Sequence, residues 1–282
     1  MKHSACKNIL TILLLVLVST GLFAQTTVSN NVKLTAAYGS GLEAKLEFGH
    51  SMKMPVLQSD GPLFSGNNLK VKGLVGVSPI AGTVTVDAVL TPIAILELSL
   101  GGGLGTGWDF DLMELSGLKL GTPLVSDSLG GAYYMGRAGV ALQFDTAAIV
   151  PGDWNSIVMR MYHEFNYKGY SAADAGVKWE YENGGAMVNG INYKGEYTLG
   201  YQMPLMLNLV ALQLETFTYN LFTGDRGPLF YDLSLVGNLE LTSDLNLTIA
   251  TQFTNIDKAA DREIIEKDFG FKRVALMLNY SF

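Results

Sequence analysis

The chain has 282 residues and a formal net charge of −7, and only 16% of its residues are charged. The acidic balance argues against nucleic acid as a partner, and the length allows one large β domain or two ordinary domains. Mean hydropathy is +0.24, which is high for a soluble protein. Beyond the first two dozen residues, however, no apolar run is both long enough and free of charge for a transmembrane helix.

Residues 1–24 predict a secretory signal peptide that is cleaved from the mature protein. Lys2 and Lys7 provide the basic start, and Ile9 to Val18 is an apolar run broken by a single threonine. Ala24 is the small residue expected before the cleavage site. The alternative is an uncleaved signal anchor, for which the run is short.

Cleavage would leave residues 25–282 as the mature chain. Cys6 is the only cysteine and lies within the signal, so we expect no disulfide in the mature protein. The mature chain would hold 17 Lys and Arg residues against 26 Asp and Glu residues.

Apolar and polar residues alternate with a period of two along the mature chain, which is typical of β-strands. The clearest segments are, in chain order, 42–48, 140–145, 157–168, 193–203, 231–241, 245–254 and 273–282. No sustained helical period competes with this pattern. The charged stretch Asp257 to Asp268 is the one candidate for a short helix.

The sequence allows three strand numbers. Eight strands follow Ile93, and Val32–Tyr38, Leu42–Met52, Leu69–Val77 and Gly82–Leu90 bring the total to twelve. Merging these four into two long strands gives ten. A further hairpin at Val177–Tyr181 would give fourteen. We predict twelve, with a long connection between the second and third strands on the side of the short turns.

Connections of two kinds alternate along the chain. Short turns are predicted at 91–92, 151–153, 204 and 242–244, and longer polar segments at Asp109–Gly130, Tyr170–Asn189, Thr223–Pro228 and Asn255–Asp268. Short periplasmic turns opposite longer outer loops are typical of outer-membrane barrels. The sequence therefore predicts an all-β fold, an antiparallel transmembrane β-barrel.

The last strand supports this prediction. Every second residue before Phe282 is apolar, and mostly polar residues lie between them. The apolar positions are Val274, Leu276, Leu278 and Tyr280. This strand resembles the C-terminal strand of bacterial outer-membrane β-barrels. The resemblance implies insertion into the outer membrane lipid, with Phe282, Tyr280 and Leu278 as the signal for the barrel-assembly machinery.

Four further segments resemble an uncharacterised family of spirochaete outer-membrane barrel proteins. They are residues 91–98, 105–108, 143–154 and 200–208, which contain patterns of strands and turns. The resemblance implies the fold and the compartment, and it brings no site residues with it.

The polar faces of the strands supply candidate residues for the lining of the lumen. They carry charges of both signs, which predicts either a water-filled pore or an interior filled by ion pairs. The candidates are Lys70, Lys72, Asp87, Glu97, Arg137, Asp145, Arg160, Glu164, Lys194, Glu196, Glu215, Asp232, Glu240 and Arg273, together with Lys33, Glu43, Lys45 and Glu47.

Catalytic and metal-binding signatures are weak. His50 and His163 fall on the apolar faces of their strands, away from a partner for nucleophilic catalysis. The glycine-rich run 101–107 lacks the lysine and the helix of a phosphate-binding loop. We therefore expect no enzymatic activity, metal or cofactor.

Two functions compete on this evidence. The first is a narrow porin-like channel for small polar solutes. The second is a surface-exposed binding or structural barrel with a largely filled lumen, whose function lies in the outer loops.

Overall fold

The computed structural model describes residues 26–39, 41–222 and 228–282. Twelve long antiparallel strands follow one another in sequence order around a closed barrel, and the last strand pairs with the first. The predicted signal peptide and most of the predicted polar segment Thr223–Pro228 lie outside the described residues. The strands are β1 Thr27–Gly39, β2 Leu42–Pro55, β3 Asn68–Val77, β4 Ala81–Ile93, β5 Leu96–Gly107, β6 Tyr133–Asp145, β7 Ser156–Tyr170, β8 Gly190–Gln202, β9 Leu207–Thr218, β10 Phe230–Glu240, β11 Leu245–Lys258 and β12 Ile264–Ser281.

The prediction of twelve strands is confirmed, and the alternatives of ten and fourteen are wrong. Ten strands required β3 and β4 to be continuous through Pro79, but a turn separates them there, in which the Ser78 N–H donates to the Ala81 carbonyl at 2.8 Å. Fourteen strands required a hairpin of the barrel at 177–181, but Trp179–Tyr181 belongs to a small separate sheet that is not part of the barrel wall. Within the described ranges, no helix is long and apolar enough to cross a membrane.

The pairing of β12 with β1 closes the barrel. The register runs from Asn31 opposite Ser281 to Gly39 opposite Arg273. Beyond it, Asn30 and Phe282 exchange two backbone hydrogen bonds of 3.1 and 3.0 Å. Closure leaves no strand of the wall with an unpaired edge, so the backbone polar groups are satisfied within the wall.

The barrel wall is polar on its inner face and apolar on its outer face, which is the reverse of a soluble protein. The buried side chains on one face, which we call the inner wall, include Glu164, Asn192, Asp232 and Thr254. The other face, the outer wall, exposes large apolar side chains such as Leu34, Leu100, Leu212, Leu235 and Leu276. Polar-in and apolar-out alternation is what a lipid environment requires of a barrel, so this is a transmembrane β-barrel of the outer-membrane type.

The connections divide the barrel into two ends. The end that we call the loop end carries 108–132, 171–189 and 259–263, the tight connection 78–80, and the ends of β1 and β9 with the starts of β2 and β10. The opposite end, the turn end, carries 94–95, 146–155, 203–206, 241–244 and the long connection 56–67. The turns predicted at 151–153, 204 and 242–244 lie at the turn end as expected, but the turn predicted at 91–92 is wrong, because β4 continues to Ile93 and the chain turns at 94–95.

The connection 56–67 is long for the turn end, and its hydrogen bonds hold it against the neighbouring turn. The side-chain amide of buried Asn67 donates to the carbonyls of Leu57 and Pro92, at 2.8 and 2.5 Å. The N–H of Ala94 donates to the Leu63 carbonyl at 2.9 Å. The segment is therefore folded across the base of β4 and β5.

The prediction of a short helix within Asp257 to Asp268 is wrong. Residues up to Lys258 continue β11, and β12 begins at Ile264, so only 259–263 form the connection. Two register shifts between β11 and β12 accompany this extension. The charged residues are compatible with strand here because the two strands continue to pair, from Ile256 opposite Glu266 to Lys258 opposite Ile264.

Candidate functional site

The inner wall brings most of the predicted lumen residues together in ion pairs. Asp87 on β4 binds Arg137 on β6, with 2.7 Å to Nε and 2.5 Å to Nη2. Gly101 on β5 lies between them in register with both. A Cβ atom at Gly101 would lie 1.8 Å from Asp87 Oδ1, so the glycine makes room for this pair.

A second group of charges links β5 with β7, β8 and β9. Arg160 binds Glu97 at 3.4 Å and Glu196 at 3.3 Å. Lys194 binds Glu215 at 2.5 Å and Glu196 at 3.4 Å. Glu196 is therefore shared by two cations, and the charges form a chain along the wall.

The remaining wall carries further pairs. Asp232 on β10 binds Lys272 on β12 at 2.6 Å, across β11. Arg273, the next residue, binds Glu43 on β2 and also donates to Gln252 at 2.9 Å. A register shift at Gln252 and Phe253 allows these two consecutive cations both to reach partners of the inner wall.

Five of the predicted lumen residues are not in ion pairs within the described part of the chain. Lys70 and Lys72 have no carboxylate within ion-pair distance there. Glu164 accepts hydrogen bonds from the Tyr162 hydroxyl and the Asn166 amide, as described below. Asp145 and Glu240 lie at the turn end.

The two residues at the turn end have structural contacts. Asp145 accepts from the backbone N–H of Ala147 at 2.9 Å and from the hydroxyl of Ser156 at 3.0 Å. It thereby caps the short 3₁₀ turn Thr146–Ala148. Glu240 accepts from the Asn208 amide at 3.1 Å.

Several ion pairs of the inner wall are open to water. In the pair of Lys33 with Glu47, the side chains are 34% and 15% exposed. The corresponding values are 28% and 18% for Arg137 with Asp87, and 35% and 25% for Arg160 with Glu97. Charges packed tightly into a filled interior would have little such exposure, so these pairs border open space in the lumen.

Two loops pack together at the loop end. Trp179–Tyr181 pairs with Leu118–Leu120, which in turn pairs with Val125–Ser126. Leu118 and Trp179 are fully buried, and they pack with Tyr133 and Tyr170 from the tops of β6 and β7. These loops are therefore ordered by an apolar core of their own.

Loop 171–189 crosses the mouth of the barrel. It leaves β7 and returns to β8, yet its Glu182 binds Lys45 of β2, on the opposite wall, at 3.0 Å. Tyr181 donates its hydroxyl proton to the Gly82 carbonyl at 3.0 Å. A Cβ at Gly105 would lie 2.5 Å from that hydroxyl oxygen, so a side chain there would displace the loop.

Glu180 anchors the loop to the β11–β12 connection. Its carboxylate is 1% exposed and binds Lys119 at 3.2 Å and Arg262, whose Nε lies 3.1 Å away. The Gly185 N–H donates to it at 3.0 Å. Burial alone would raise the pKa of Glu180, but these hydrogen bonds and positive charges outweigh it and lower the pKa.

Sequence reasoning did not identify the anchoring residues Lys119, Glu180, Glu182 and Arg262. The alternation of Trp179 and Tyr181 around Glu180 was visible, but it indicated a strand and no partner. The partners are far apart in sequence, and no local pattern relates them.

His50 and His163, the histidines among the described residues, lie on the outer wall, on the apolar face predicted for them. His163 Nδ1 lies 2.6 Å from the Tyr193 hydroxyl, and its ring meets the Tyr197 ring edge-on. His50 Nδ1 lies 2.8 Å from Asn30 Oδ1. No group of three or more His, Cys, Asp or Glu side chains that could hold a metal occurs among the described residues.

No protein-family model and no curated protein matches the chain. Among solved structures, the KdgM porin is similar with a TM-score of 0.46 and 8% identity, covering 89% of this chain and 99% of the porin. The NanC porin has a TM-score of 0.45 and 9% identity, with coverage of 90% and 98%. The β domain of the Bordetella autotransporter BrkA has a TM-score of 0.45 and 12% identity, with coverage of 91% and 98%.

Proposed function

We propose that this barrel is a narrow, passive channel for small polar solutes in the outer membrane, with its loop end facing outward. The observation that carries the proposal is the water-accessible ion pairs of the inner wall, such as Arg160 with Glu97 at 35% and 25% exposure. Charges of both signs on a wet wall favour polar solutes over apolar ones, and their arrangement sets selectivity.

The loops make the channel narrow. A twelve-stranded barrel is intermediate between small filled barrels and open porins. Loop 171–189 reaches Lys45 on the far wall and so reduces the opening at the loop end. Solutes would pass beside this loop and along the paired charges.

Single-channel recording in planar bilayers tests the proposal. The folded full chain is expected to give discrete conductance steps, and bilayers that stay silent in several salts would refute it. A variant in which a short Gly-Ser linker replaces residues 178–187 tests the role of the loop. If the loop restricts the pore, this variant conducts more than the wild type. A matched variant with the same linker in place of 151–154, a connection at the turn end, controls for the general effect of replacing a connection.

The alternative is a binding or structural barrel whose outer loops contact a partner. The ordered sheet and apolar core formed by loops 108–132 and 171–189 favour it, because unstructured loops would offer no fixed surface. Removing the loops would then abolish partner binding and leave conductance unchanged. The channel proposal expects the opposite pattern.

Placement in the envelope belongs to the same proposal. A cleaved signal at 1–24 would direct export, and the assembly machinery would read the end of β12 and the residue after it, where Leu278, Tyr280 and Phe282 are exposed. Membership of the spirochaete barrel family that the sequence resembles is likewise proposed. We propose no enzymatic activity, since His50 and His163 face away from the inner wall.

A further inference from the structure

A cavity of about 250 Å³ lies against the inner wall between β6 and β9. Its charged lining consists of three cations, Arg137, Lys168 and Lys194, and one carboxylate, Glu164. A volume of this size accommodates a small organic molecule, although it is smaller than the pockets that bind drug-sized ligands. The excess of positive charge on its lining indicates the class of ligand.

The three cations have hydrogen-bond donors to spare. Lys168 makes no ion pair or side-chain hydrogen bond with any described residue, although it is half-buried. Arg137 uses Nε and Nη2 on Asp87, which leaves Nη1 free of any partner in the described part of the chain. Lys194 contacts two carboxylates and can offer a third proton.

The carboxylate of the cavity does not neutralise Lys168 directly. Glu164 accepts from the Tyr162 hydroxyl at 2.7 Å and from Asn166 Nδ2 at 2.9 Å. It is four residues before Lys168 on the same strand face, which separates their Cα atoms by about 13 Å at ~3.3 Å per residue. Glu164 therefore attracts the half-buried ammonium group through space, without the direct contact that buried charges normally make in proteins.

We propose that the cavity binds a small solute through an oxyanion group, a carboxylate or a phosphate, with Lys168 as its principal contact. The inference rests on the proposed function, because it names a class of solute that would enter the lumen. An oxyanion supplies a counter-charge in direct contact with Lys168 and accepts charge-assisted hydrogen bonds from Lys168 and from Arg137 Nη1. Lys194 and Phe217 also line the cavity, with the Lys194 ammonium 5.9 Å from the centre of the Phe217 ring.

Isothermal titration of the folded full chain in detergent, at low ionic strength, tests the proposal with sodium phosphate, sodium succinate and glucose. We expect saturable binding of at least one anion and none of glucose. Comparing phosphate with succinate tells which oxyanion the cavity prefers. Lys168→Gln should weaken the binding at least about 10-fold, the loss expected for one charge-assisted contact, whereas Lys168→Arg should retain it.

Lys70→Gln is the matched control. It removes the same charge from another inner-wall lysine that has no ion-pair partner in the described ranges and does not line the cavity. Its affinity should stay within about 2-fold of wild type, since it makes no contact with the ligand. Equal losses in Lys168→Gln and Lys70→Gln would mean that only the overall charge of the lumen matters, which would overturn the proposal.

Binding and conduction are separate readouts. Anion binding that depends on Lys168 in a barrel that does not conduct would support the cavity and refute the channel. A conducting barrel in which neither anion binds would overturn the cavity alone. If Lys168→Gln does not fold, judged by the loss of its heat-dependent gel shift, Lys168→Met takes its place, and the anion-over-glucose preference of the wild type still decides.

Discussion

Replacing Glu180 by glutamine should release loop 171–189 from the mouth. The carboxylate is 1% exposed and has two cationic partners, Lys119 and Arg262, which are 22% and 34% exposed. Removing one partner of a fully buried ion pair costs about 3–5 kcal/mol. Because water reaches both cations here, we expect about 2–3 kcal/mol, most of it lost from the docking of the loop.

This cost predicts a measurable change in loop opening. At about 1.4 kcal/mol per tenfold, the undocked population should rise about 30- to 140-fold. Hydrogen exchange of peptides covering 171–189, in the folded barrel, measures this population directly. The peptides from β6 to β8 should keep their protection, since the wall does not depend on Glu180.

Lys178→Gln provides the matched control within the same loop. Lys178 also binds the β11–β12 connection, through Asp261 and Glu263, but these carboxylates are 49% and 57% exposed. Exposed pairs contribute at most about 1 kcal/mol, so its effect on exchange should be less than about 5-fold. The reasoning is refuted if Glu180→Gln leaves exchange unchanged, or if both variants change it equally.

Three further outcomes follow from the structure. Because the pKa of Glu180 is lowered, its carboxylate stabilises the docked loop fully above the ordinary value of 4.5, and this stabilisation is lost as pH falls through the lowered pKa, so loop exchange should accelerate only below pH 4.5. Leu100→Arg should cost about 2–4 kcal/mol of unfolding free energy in lipid vesicles if the outer wall faces the bilayer midplane, whereas near zero is expected for a soluble surface. Gly101→Ala, whose Cβ would lie 1.8 Å from Asp87 Oδ1, should destabilise the barrel by about 1–3 kcal/mol in urea unfolding. Gly136→Ala, where a Cβ meets no atom within 4 Å, should have little effect, and equal losses in both variants would contradict the packing argument.

Much of the barrel could be predicted from the sequence. The alternation in 245–254 and 273–282 indicated both the strands and their two faces, because side chains of a strand alternate by local geometry alone. The structure has 245–254 in β11 and 273–281 in β12, with the polar sets on the inner wall. The number of strands was harder near the N-terminus, where only the turn at 78–80 separates β3 from β4.

The helix considered for Asp257 to Asp268 shows where local composition failed. Charged residues there suggested departure from the sheet, yet pairing with the neighbouring strand extends both β11 and β12. Hydrogen bonds between strands, which a single segment does not reveal, overcame the weak local preference.

The amino-acid sequence by itself determined the all-β class, the alternating faces and the chemical character of the lumen, since these depend on residues two apart in one strand. Only the tertiary structure decided which charges pair. Asp87 meets Arg137 because the intervening strand has a glycine, and Glu180 meets Arg262 because loop 171–189 crosses the closed barrel. Those contacts join residues tens of positions apart, and the closure of the wall is what brings them within ion-pair distance.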